Sequence, residues 1–328
     1  MEKYALETEV AVRAVREAAR LTRAVQAEIT PEVLEKRDRS PVTLADFGSQ
    51  ALVCRALGAA FPRDPVIGEE ESSDLTRPEN AGMLSRLVAG VGRVVPGARD
   101  ADVCAWLDRG SASSYSDRFW TLDPIDGTKG FLRKEQYAIS LALVVGGETV
   151  IGALGCPNLA LEPGRPETRG VLFTAVRGEG ATRRPLYGEG PAARIRVSGE
   201  GDPRRLRFCE SVEKEHSSHG DAARIAERLE IDAEPVRLDS QAKYAVVARG
   251  EAEAYLRLPK SADYVEKIWD HAGGAIIVEE AGGCVTDVMG RPLDFTRGRT
   301  LEGNRGVVAS NGALHEALLG AIHDLGIA

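Results

Sequence analysis

The sequence has few of the residues that build disulfide frameworks or thiolate metal sites. Its five cysteines are Cys54, Cys104, Cys156, Cys209 and Cys284, and none forms a CxxC pair. A disulfide framework and a structural zinc site are therefore not indicated, because both need matched, closely spaced cysteines. This cysteine usage favours a reducing cytoplasm as the compartment.

Long apolar runs and an excess of basic residues are also missing. The N-terminal residues are acidic and lack an apolar signal core, and no later run approaches the ~20 apolar residues that span a bilayer. There are 42 Lys and Arg residues against 50 Asp and Glu, which gives a net charge of −8. General nucleic-acid binding needs a basic surface that displaces counterions. We therefore expect no membrane insertion and no nucleic-acid partner.

The rest of the composition is that of a globular enzyme, with 43% hydrophobic and 28% charged residues. A chain of 328 residues exceeds one average core, so two domains or one large layered domain is expected. Apolar periodicity predicts a long helix from Tyr4 to about Ile29 and a second helix over about 44–60. A short buried strand before Gly68 is followed by three consecutive acids.

The middle of the chain predicts an antiparallel sheet, and the second half alternates strands with helices. A hairpin is expected over 137–154 around Gly146-Gly147, with further strands at 171–176 and 181–187. Later strands are expected at 194–197, 206–209, 252–258 and 306–310, and helices at about 219–230, 240–249, 269–281 and 312–324. We place a domain boundary near residue 193, giving an α+β unit over 1–193 and an α/β unit over 194–328.

Residues 120–133, WTLDPIDGTKGFLR, hold the densest group of chemically useful side chains. Asp123 and Asp126 are separated by Pro124, whose φ is fixed, and Gly127 allows a tight turn after them. Two carboxylates held together need a cation, and hard oxygen ligands suit Mg²⁺. Taken alone, the segment is equally compatible with a surface turn whose charges are solvated.

Three further acids have an ordinary structural explanation when each is considered alone. Glu69 belongs to an acid run, which is usually a solvated face. Asp46 lies near a helix start, where the helix dipole favours an acid. Asp270, in the segment WDHAGG, is explained as a helix N-cap. Asp270 is also a plausible third metal ligand, and acids at the end of an apolar strand, such as Glu69, often line a cleft.

Taken together, the motifs GEE at 68–70, DPIDGT at 123–128 and WDHAGG at 269–274 resemble the signatures of the lithium-sensitive, Mg²⁺-dependent inositol monophosphatase superfamily. Within it, SVEKEHSSH at 211–219 and LDSQAKYAVVARGEAEAYLRLP at 238–259 resemble the branch of 3'(2'),5'-bisphosphate nucleotidases. The resemblance implies an α/β fold, a layered αβαβα sandwich of the inositol monophosphatase and fructose-1,6-bisphosphatase type.

The resemblance also implies a metal centre with two or three Mg²⁺ ions. Its ligands would be Glu69, Asp123, Asp126, Asp270 and the backbone carbonyl of Ile125. Glu70 would support these ligands. Asp46 and Thr128 would orient and deprotonate the attacking water, since a threonine hydroxyl can accept from water while it donates to an acid.

The implied partner is a small-molecule nucleotide, adenosine 3',5'-bisphosphate, with 3'-phosphoadenylyl sulfate as a relative. The substrate contacts would be Gly127, Thr128, His216, Ser240, Lys243 and Arg257. A retained 5'-phosphate needs cations such as Lys243 and Arg257. Without the resemblance, those two would be expected at exposed positions, paired with Glu251 or Glu253.

Other functions stay open at this stage. A phosphatase of the same superfamily could act on inositol phosphates, and a nucleotide-binding regulator could have lost catalysis. A haloacid-dehalogenase-type phosphatase is disfavoured, because its nucleophile motif is DxDx[TV] and the acids here are spaced DxxD. Zinc at His216 and His219 is disfavoured because no other soft ligand is near.

Overall fold

The computed structural model describes residues 3–29, 40–75, 77–212, 219–259 and 264–327. The helices are α1 Ala5–Ala27, α2 Ser40–Ala60, α3 Ala81–Gly92, α4 Asp100–Asp108, α5 Thr128–Leu132, α6 His219–Arg228, α7 Ala242–Ala248, α8 Ala272–Glu280 and α9 His315–Asp324. Short 3₁₀ turns lie at Ser72–Asp74, Pro78–Asn80, Pro166–Thr168, Pro203–Arg205 and Ile268–Asp270. In this part of the chain, no helix is long and apolar enough to cross a bilayer.

The first sheet has seven strands in the order in which they occur along the chain. They are β1 Val66–Gly68, β2 Arg118–Asp126, β3 Ala138–Val145, β4 Glu148–Ala160, β5 Arg169–Val176, β6 Gly180–Pro185 and β7 Ala193–Arg194. β1 runs parallel to β2, and every later neighbour pairs antiparallel. This meander follows from hairpin turns such as Gly146-Gly147, where both residues have positive φ.

The second sheet has five strands in the order β11-β12-β10-β8-β9. They are β8 Phe208–Glu210, β9 Val236–Arg237, β10 Ala254–Arg257, β11 Cys284–Thr286 and β12 Val307–Ser310. β8 pairs parallel with β9 and β10, while β12 pairs antiparallel with β10 and β11. The sheet is therefore mixed, with helices in the crossovers between its parallel strands.

Helices cover both sheets, and the layers share buried cores. One core joins α1 and α2 to the first sheet through residues such as Val15, Val53 and Leu141. A second core joins that sheet to α7, α8 and the second sheet, with Phe173, Val246 and others fully or nearly fully buried. A third packs α6 and α9 on the far side of the second sheet. The order helix, sheet, helix, sheet, helix is the predicted αβαβα sandwich.

Most predicted elements are found, with some different bounds. The first helix, the hairpin around Gly146-Gly147 and the later strands and helices are confirmed. The strand predicted at 194–197 is wrong, because only Ala193–Arg194 is extended and it pairs with β6 of the first sheet. The helix predicted at 269–281 is broken, since a 3₁₀ turn precedes α8. The strands β2, β9 and β11 were not predicted. The domain boundary near residue 193 stays a prediction.

Candidate active site

A cavity of about 950 Å³ opens between the two sheets. Its lining includes every predicted site residue that the structure describes, namely Asp46, Glu69, Glu70, Asp123, Ile125, Asp126, Gly127, Thr128, Ser240, Lys243, Arg257 and Asp270. His216 lies outside the described residues, as does the side chain of His219. The chain therefore brings segments from residues 46 to 270 to one place, although their individual roles remain predictions.

Two parallel strands place the first acids. Gly68 of β1 pairs with Leu122 of β2, so Glu69 and Asp123 follow directly at the same edge of the sheet. The β2–β3 register then shifts between Asp123 and Asp126. Bulges of this kind interrupt pairing and redirect groups near active sites. The irregularity lies at Pro124 and Ile125, which is where the resemblance places a backbone carbonyl ligand.

Gly127 is needed both for its conformation and for the close approach of another segment. Its φ of 89° lies in the left-handed region that glycine tolerates best. A Cβ here would also lie 2.9 Å from Cβ of Ser240, closer than packed atoms come. The turn therefore allows Ser240 to lie against the first residues of α5, beside Thr128.

Asp46 is not the first-turn acid that its position in the sequence suggested. α2 begins at Ser40, so Asp46 lies in its second turn, and its carboxyl is only 7% exposed. Burial and the negative charges of Glu70 and Glu69 raise its pKa well above the usual value. Among the described residues, no direct hydrogen bond joins Asp46 to Thr128. Their predicted pairing therefore stays a prediction, although both line the cavity.

Asp270 is not a helix N-cap either. α8 begins after His271, which makes no side-chain cap. Asp270 and its neighbours Glu266 and His271 have potential ligand atoms within 4.8 Å of one another. Nδ1 of His271 bonds the Tyr244 hydroxyl at 2.7 Å and Nε2 bonds Glu266 at 3.1 Å. Because both ring nitrogens are engaged by protein groups, neither is open to a metal ion.

The acids that line the cavity carry more negative charge than the surrounding protein compensates, which bears on whether they could bind a metal ion. Burial, together with repulsion from neighbouring acids, raises the pKa of Glu69 to about 7. Burial likewise raises the pKa of Asp270 to about 7 and that of Asp123 well above its usual range. Oδ1 of Asp123 is buried and has no hydrogen-bond partner. Buried carboxylates without enough donors need a cation, and oxygen ligands alone suit Mg²⁺. The residues therefore fit the metal.

Lys243 and Arg257 also line the cavity. Neither is at the exposed position that would be expected without the family resemblance. Lys243 is 4% exposed, with Nζ 5.2 Å from the centre of the Tyr255 ring, and burial lowers its pKa. Arg257 donates to Glu266 over 3.1 Å. The predicted alternatives are wrong, since Glu253 pairs with Arg207 and Glu251 with Arg249. Lys243 and Arg257 thus supply positive charge to a cavity rich in acids.

The cavity includes residues that had no predicted role. These are mainly Asp239, Gln241, Tyr255, Tyr264 and Glu266. Asp239 accepts from Arg133, and Tyr264 accepts from Arg257 at 3.3 Å. The matching segment 238–259 contains Asp239, Gln241 and Tyr255, so the resemblance was the available signal. The partners of Asp239 and Gln241 lie far away in the sequence, so no local pattern indicated them.

Known proteins resemble this chain in both sequence and fold. A model described as the inositol monophosphatase family matches residues 3–326. The chain belongs to this family. The protein named 3'(2'),5'-bisphosphate nucleotidase in Schizosaccharomyces pombe is 43% identical over 96% of this chain and 94% of its own length. The protein of the same name in Emericella nidulans is 42% identical over 97% and 98%.

Solved structures agree on the fold. An inositol monophosphatase from Zymomonas mobilis superposes with a TM-score of 0.65, covering 98% of this chain and all of that one. Its sequence identity is 20%, so it speaks for the fold alone. The family assignment and this superposition confirm the layered α/β sandwich that the sequence motifs implied.

Proposed function

We propose that this protein is a Mg²⁺-dependent phosphomonoesterase that hydrolyses the 3'(2')-phosphate of adenosine 3',5'-bisphosphate to AMP and phosphate. The observation that carries the proposal is a single cavity that holds both the buried acids and the cations Lys243 and Arg257. The identity above 40% with proteins named as these nucleotidases supports the same substrate class. 3'-Phosphoadenylyl sulfate is a second substrate to test.

The metal ions would be held by Glu69, Asp123, Asp126, Asp270 and the carbonyl of Ile125. When bound, such ions stabilise the charge on the transferred phosphoryl group and lower the pKa of water. The carboxylates that would bind these ions have too few hydrogen-bond donors or cations around them, among the described residues, to compensate their negative charge. Glu70 carries a backbone N–H that donates to Oε1 of Gln50 at 3.0 Å, which fixes the loop holding Glu69.

The protein's own proton chemistry would use Asp46 and Thr128. Burial and the charges of Glu70 and Glu69 raise the pKa of Asp46, which makes its carboxylate a stronger base than a solvated one. Thr128 would accept a hydrogen bond from the attacking water and donate its own to Asp46. The water would pass a proton through Thr128 to Asp46 as its oxygen bonds to phosphorus. The bond between phosphorus and the 3'-oxygen would break, and that oxygen would take a proton from solvent to become the 3'-hydroxyl of AMP. No covalent phosphoenzyme is needed.

Lys243, Arg257 and Ser240 would bind the nucleotide and its retained 5'-phosphate. Both cations are held in place, Arg257 by Glu266 and Lys243 by burial against Tyr255. A cation fixed before binding loses little side-chain entropy when the phosphate arrives. An inositol monophosphate has no second phosphate to use these groups. This difference favours a nucleoside bisphosphate over an inositol monophosphate. Inositol 1,4-bisphosphate, which has a second phosphate, is separated from the nucleotide by assay.

Steady-state assays with Mg²⁺ test the proposal. We expect a higher kcat/KM for adenosine 3',5'-bisphosphate than for inositol 1-phosphate or inositol 1,4-bisphosphate, and inhibition by Li⁺. Faster turnover of an inositol phosphate would replace the proposed substrate. Tight nucleotide binding by calorimetry, with no phosphate released in Mg²⁺, would instead support a non-catalytic regulator.

A further inference from the structure

The side chain of Gln241 joins parts of the cavity that lie far apart in the sequence. It is 3% exposed, and both ends of its amide are bonded to protein. Nε2 donates to the backbone carbonyl of Trp269 at 3.0 Å, and Oε1 accepts from the hydroxyl of Ser140 at 2.8 Å. The carbonyl of Trp269 can only accept, which decides the orientation of the amide.

The two partners of this amide stand next to candidate ligands. Trp269 immediately precedes Asp270. Ser140 is the cross-strand partner of Asp123 in the β2–β3 ladder. A displacement of the amide would therefore move Asp270 through the peptide that joins it to Trp269. It would move Asp123 through its pairing with Ser140. Its position links the first sheet to the segment before α8.

The backbone of Gln241 makes a third link. Its N–H donates to Oδ2 of Asp126, across 115 residues of sequence. The preceding residue, Ser240, has a φ of 72°, which is costly for a residue with a side chain. Such a conformation persists only where surrounding contacts hold it. The bonds of Gln241 and the N–H of Ala242 that donates to Oγ of Ser240 are such contacts. The turn that carries Ser240 is thus tied to the ligand Asp126.

Two glycines allow these segments to approach closely. A Cβ on Gly273 would lie 2.4 Å from Oγ of Ser140, and one on Gly127 would lie 2.9 Å from Cβ of Ser240. Neither position accepts a side chain without movement of its neighbour. Gln241 thus bonds across a close-packed junction where small displacements cannot be absorbed.

We infer that Gln241 is a positioning residue that sets the spacing of Asp123, Asp126 and Asp270 and couples it to the nucleotide turn at Ser240. The inference rests on the proposed function for its nucleotide part. Gln241 does not act as a substrate contact, because its amide oxygen and nitrogen already bond Ser140 and Trp269. Its effect on metal binding is indirect, through residues that hold the ligands.

The decisive experiment titrates Mn²⁺ alone into the full chain, with free Mn²⁺ followed by electron paramagnetic resonance. Gln241→Met keeps the side-chain volume but loses both amide bonds. Loss of groups that orient metal ligands weakens binding roughly 10- to 100-fold, and we expect this variant to bind Mn²⁺ at least about tenfold more weakly. Ser140→Ala removes only one bond, so its loss should be smaller.

Gln26→Met is the matched control. Gln26 is 6% exposed, donates to the carbonyl of Phe131 at 2.9 Å and accepts from Asn158 at 3.0 Å, but does not line the cavity. The Gln26→Met variant loses the same kinds of bonds as Gln241→Met. Its Tm should therefore fall while its Mn²⁺ affinity stays within about twofold of the wild type. A role in stability alone would make Gln241→Met behave in the same way.

The outcomes separate this inference from the proposed function. A folded Gln241→Met chain that binds Mn²⁺ within twofold of the wild type overturns the inference. If that variant does not fold, Ser140→Ala decides, and wild-type Mn²⁺ affinity in it overturns the inference. In turnover assays, kcat of Gln241→Met should recover as Mg²⁺ is raised. A wild type that binds Mn²⁺ but does not hydrolyse the nucleotide refutes the substrate and leaves the metal titration decisive.

Discussion

Asp123 and Asp287 are two buried aspartates that the fold treats in opposite ways. Asp123 is 2% exposed, and its buried Oδ1 has no hydrogen-bond partner. Asp287 is fully buried and accepts from the backbone N–H groups of Met289 and Arg291, from the side chain of Arg291 and from Asn304. Burial raises the pKa of Asp123, whereas these donors outweigh burial and lower that of Asp287.

The difference separates an acid whose charge the fold satisfies from an acid whose charge a bound cation would satisfy. The donors around Asp287 satisfy its charge within the protein, so it fastens the loop after β11. The charge of Asp123 stays unsatisfied among other acids, which costs folding free energy unless a cation binds. Equal burial therefore does not mean an equal role. The donor count around each carboxylate separates the two.

The largest expected effect compares the same substitution at both positions. Asp123→Asn removes a candidate metal ligand, so we expect kcat/KM to fall by more than about a hundredfold. Asp287→Asn should keep near-wild-type turnover per folded molecule, because Asp287 does not line the cavity. Steady-state assays normalised to the folded fraction measure both. Near-normal Mg²⁺-dependent turnover by Asp123→Asn would refute the ligand assignment.

A second comparison concerns the cations that accompany these acids. Arg291 serves Asp287, whereas Lys243 forms no ion pair with any described residue. Lys243→Met should therefore lower kcat/KM for adenosine 3',5'-bisphosphate roughly 10- to 100-fold, since it removes a charged hydrogen bond to phosphate. Adenosine 3'-monophosphate lacks the 5'-phosphate and is the matched control substrate. Equal losses on both substrates would contradict a 5'-phosphate contact.

A third prediction concerns the contribution of Asp287 to the free energy of unfolding, which should depend on pH. Asp287→Asn should lower the free energy of unfolding by roughly 2–4 kcal/mol at pH 7, because buried charged hydrogen bonds are lost. A carboxyl with a lowered pKa stabilises the fold above its unfolded pKa near ~4, and the contribution disappears as pH falls through the folded pKa. Denaturant unfolding at pH 7 and below pH 4 measures the difference. A pH-independent loss would show that the charge is not involved.

The smallest effect has the opposite sign. In the absence of divalent metal, Asp123→Asn should raise the free energy of unfolding by about 1 kcal/mol, because it removes a poorly compensated buried charge. The same variant should lose the stabilisation that Mg²⁺ gives the wild type. Thermal unfolding in EDTA and in Mg²⁺ tests both statements. A destabilised metal-free variant would mean that Asp123 is satisfied by the fold after all.

Local patterns predicted the parts of the site that depend on neighbouring residues. The strand ending at Gly68 and the turn at Gly127 follow from residue preferences within a few positions, and the structure has both. The motifs also selected the acids that meet in the cavity. Local patterns did not identify the role of a residue where its segment had two local explanations. Asp270 looked like an N-cap and Asp46 like a first-turn acid, and only helix bounds set by packing excluded these interpretations.

The sequence by itself determined the family, most of the order of elements and the acids of the cavity, because these depend on short motifs and apolar periodicity. Only the tertiary structure decided that Lys243 is buried, that Gln241 bonds Ser140 and Trp269, and that Asp123 lacks the donors Asp287 has. The physical reason is separation along the chain. Burial and hydrogen bonding depend on partners up to more than a hundred residues away, as for Gln241 and Asp126, and no local pattern encodes which ones meet.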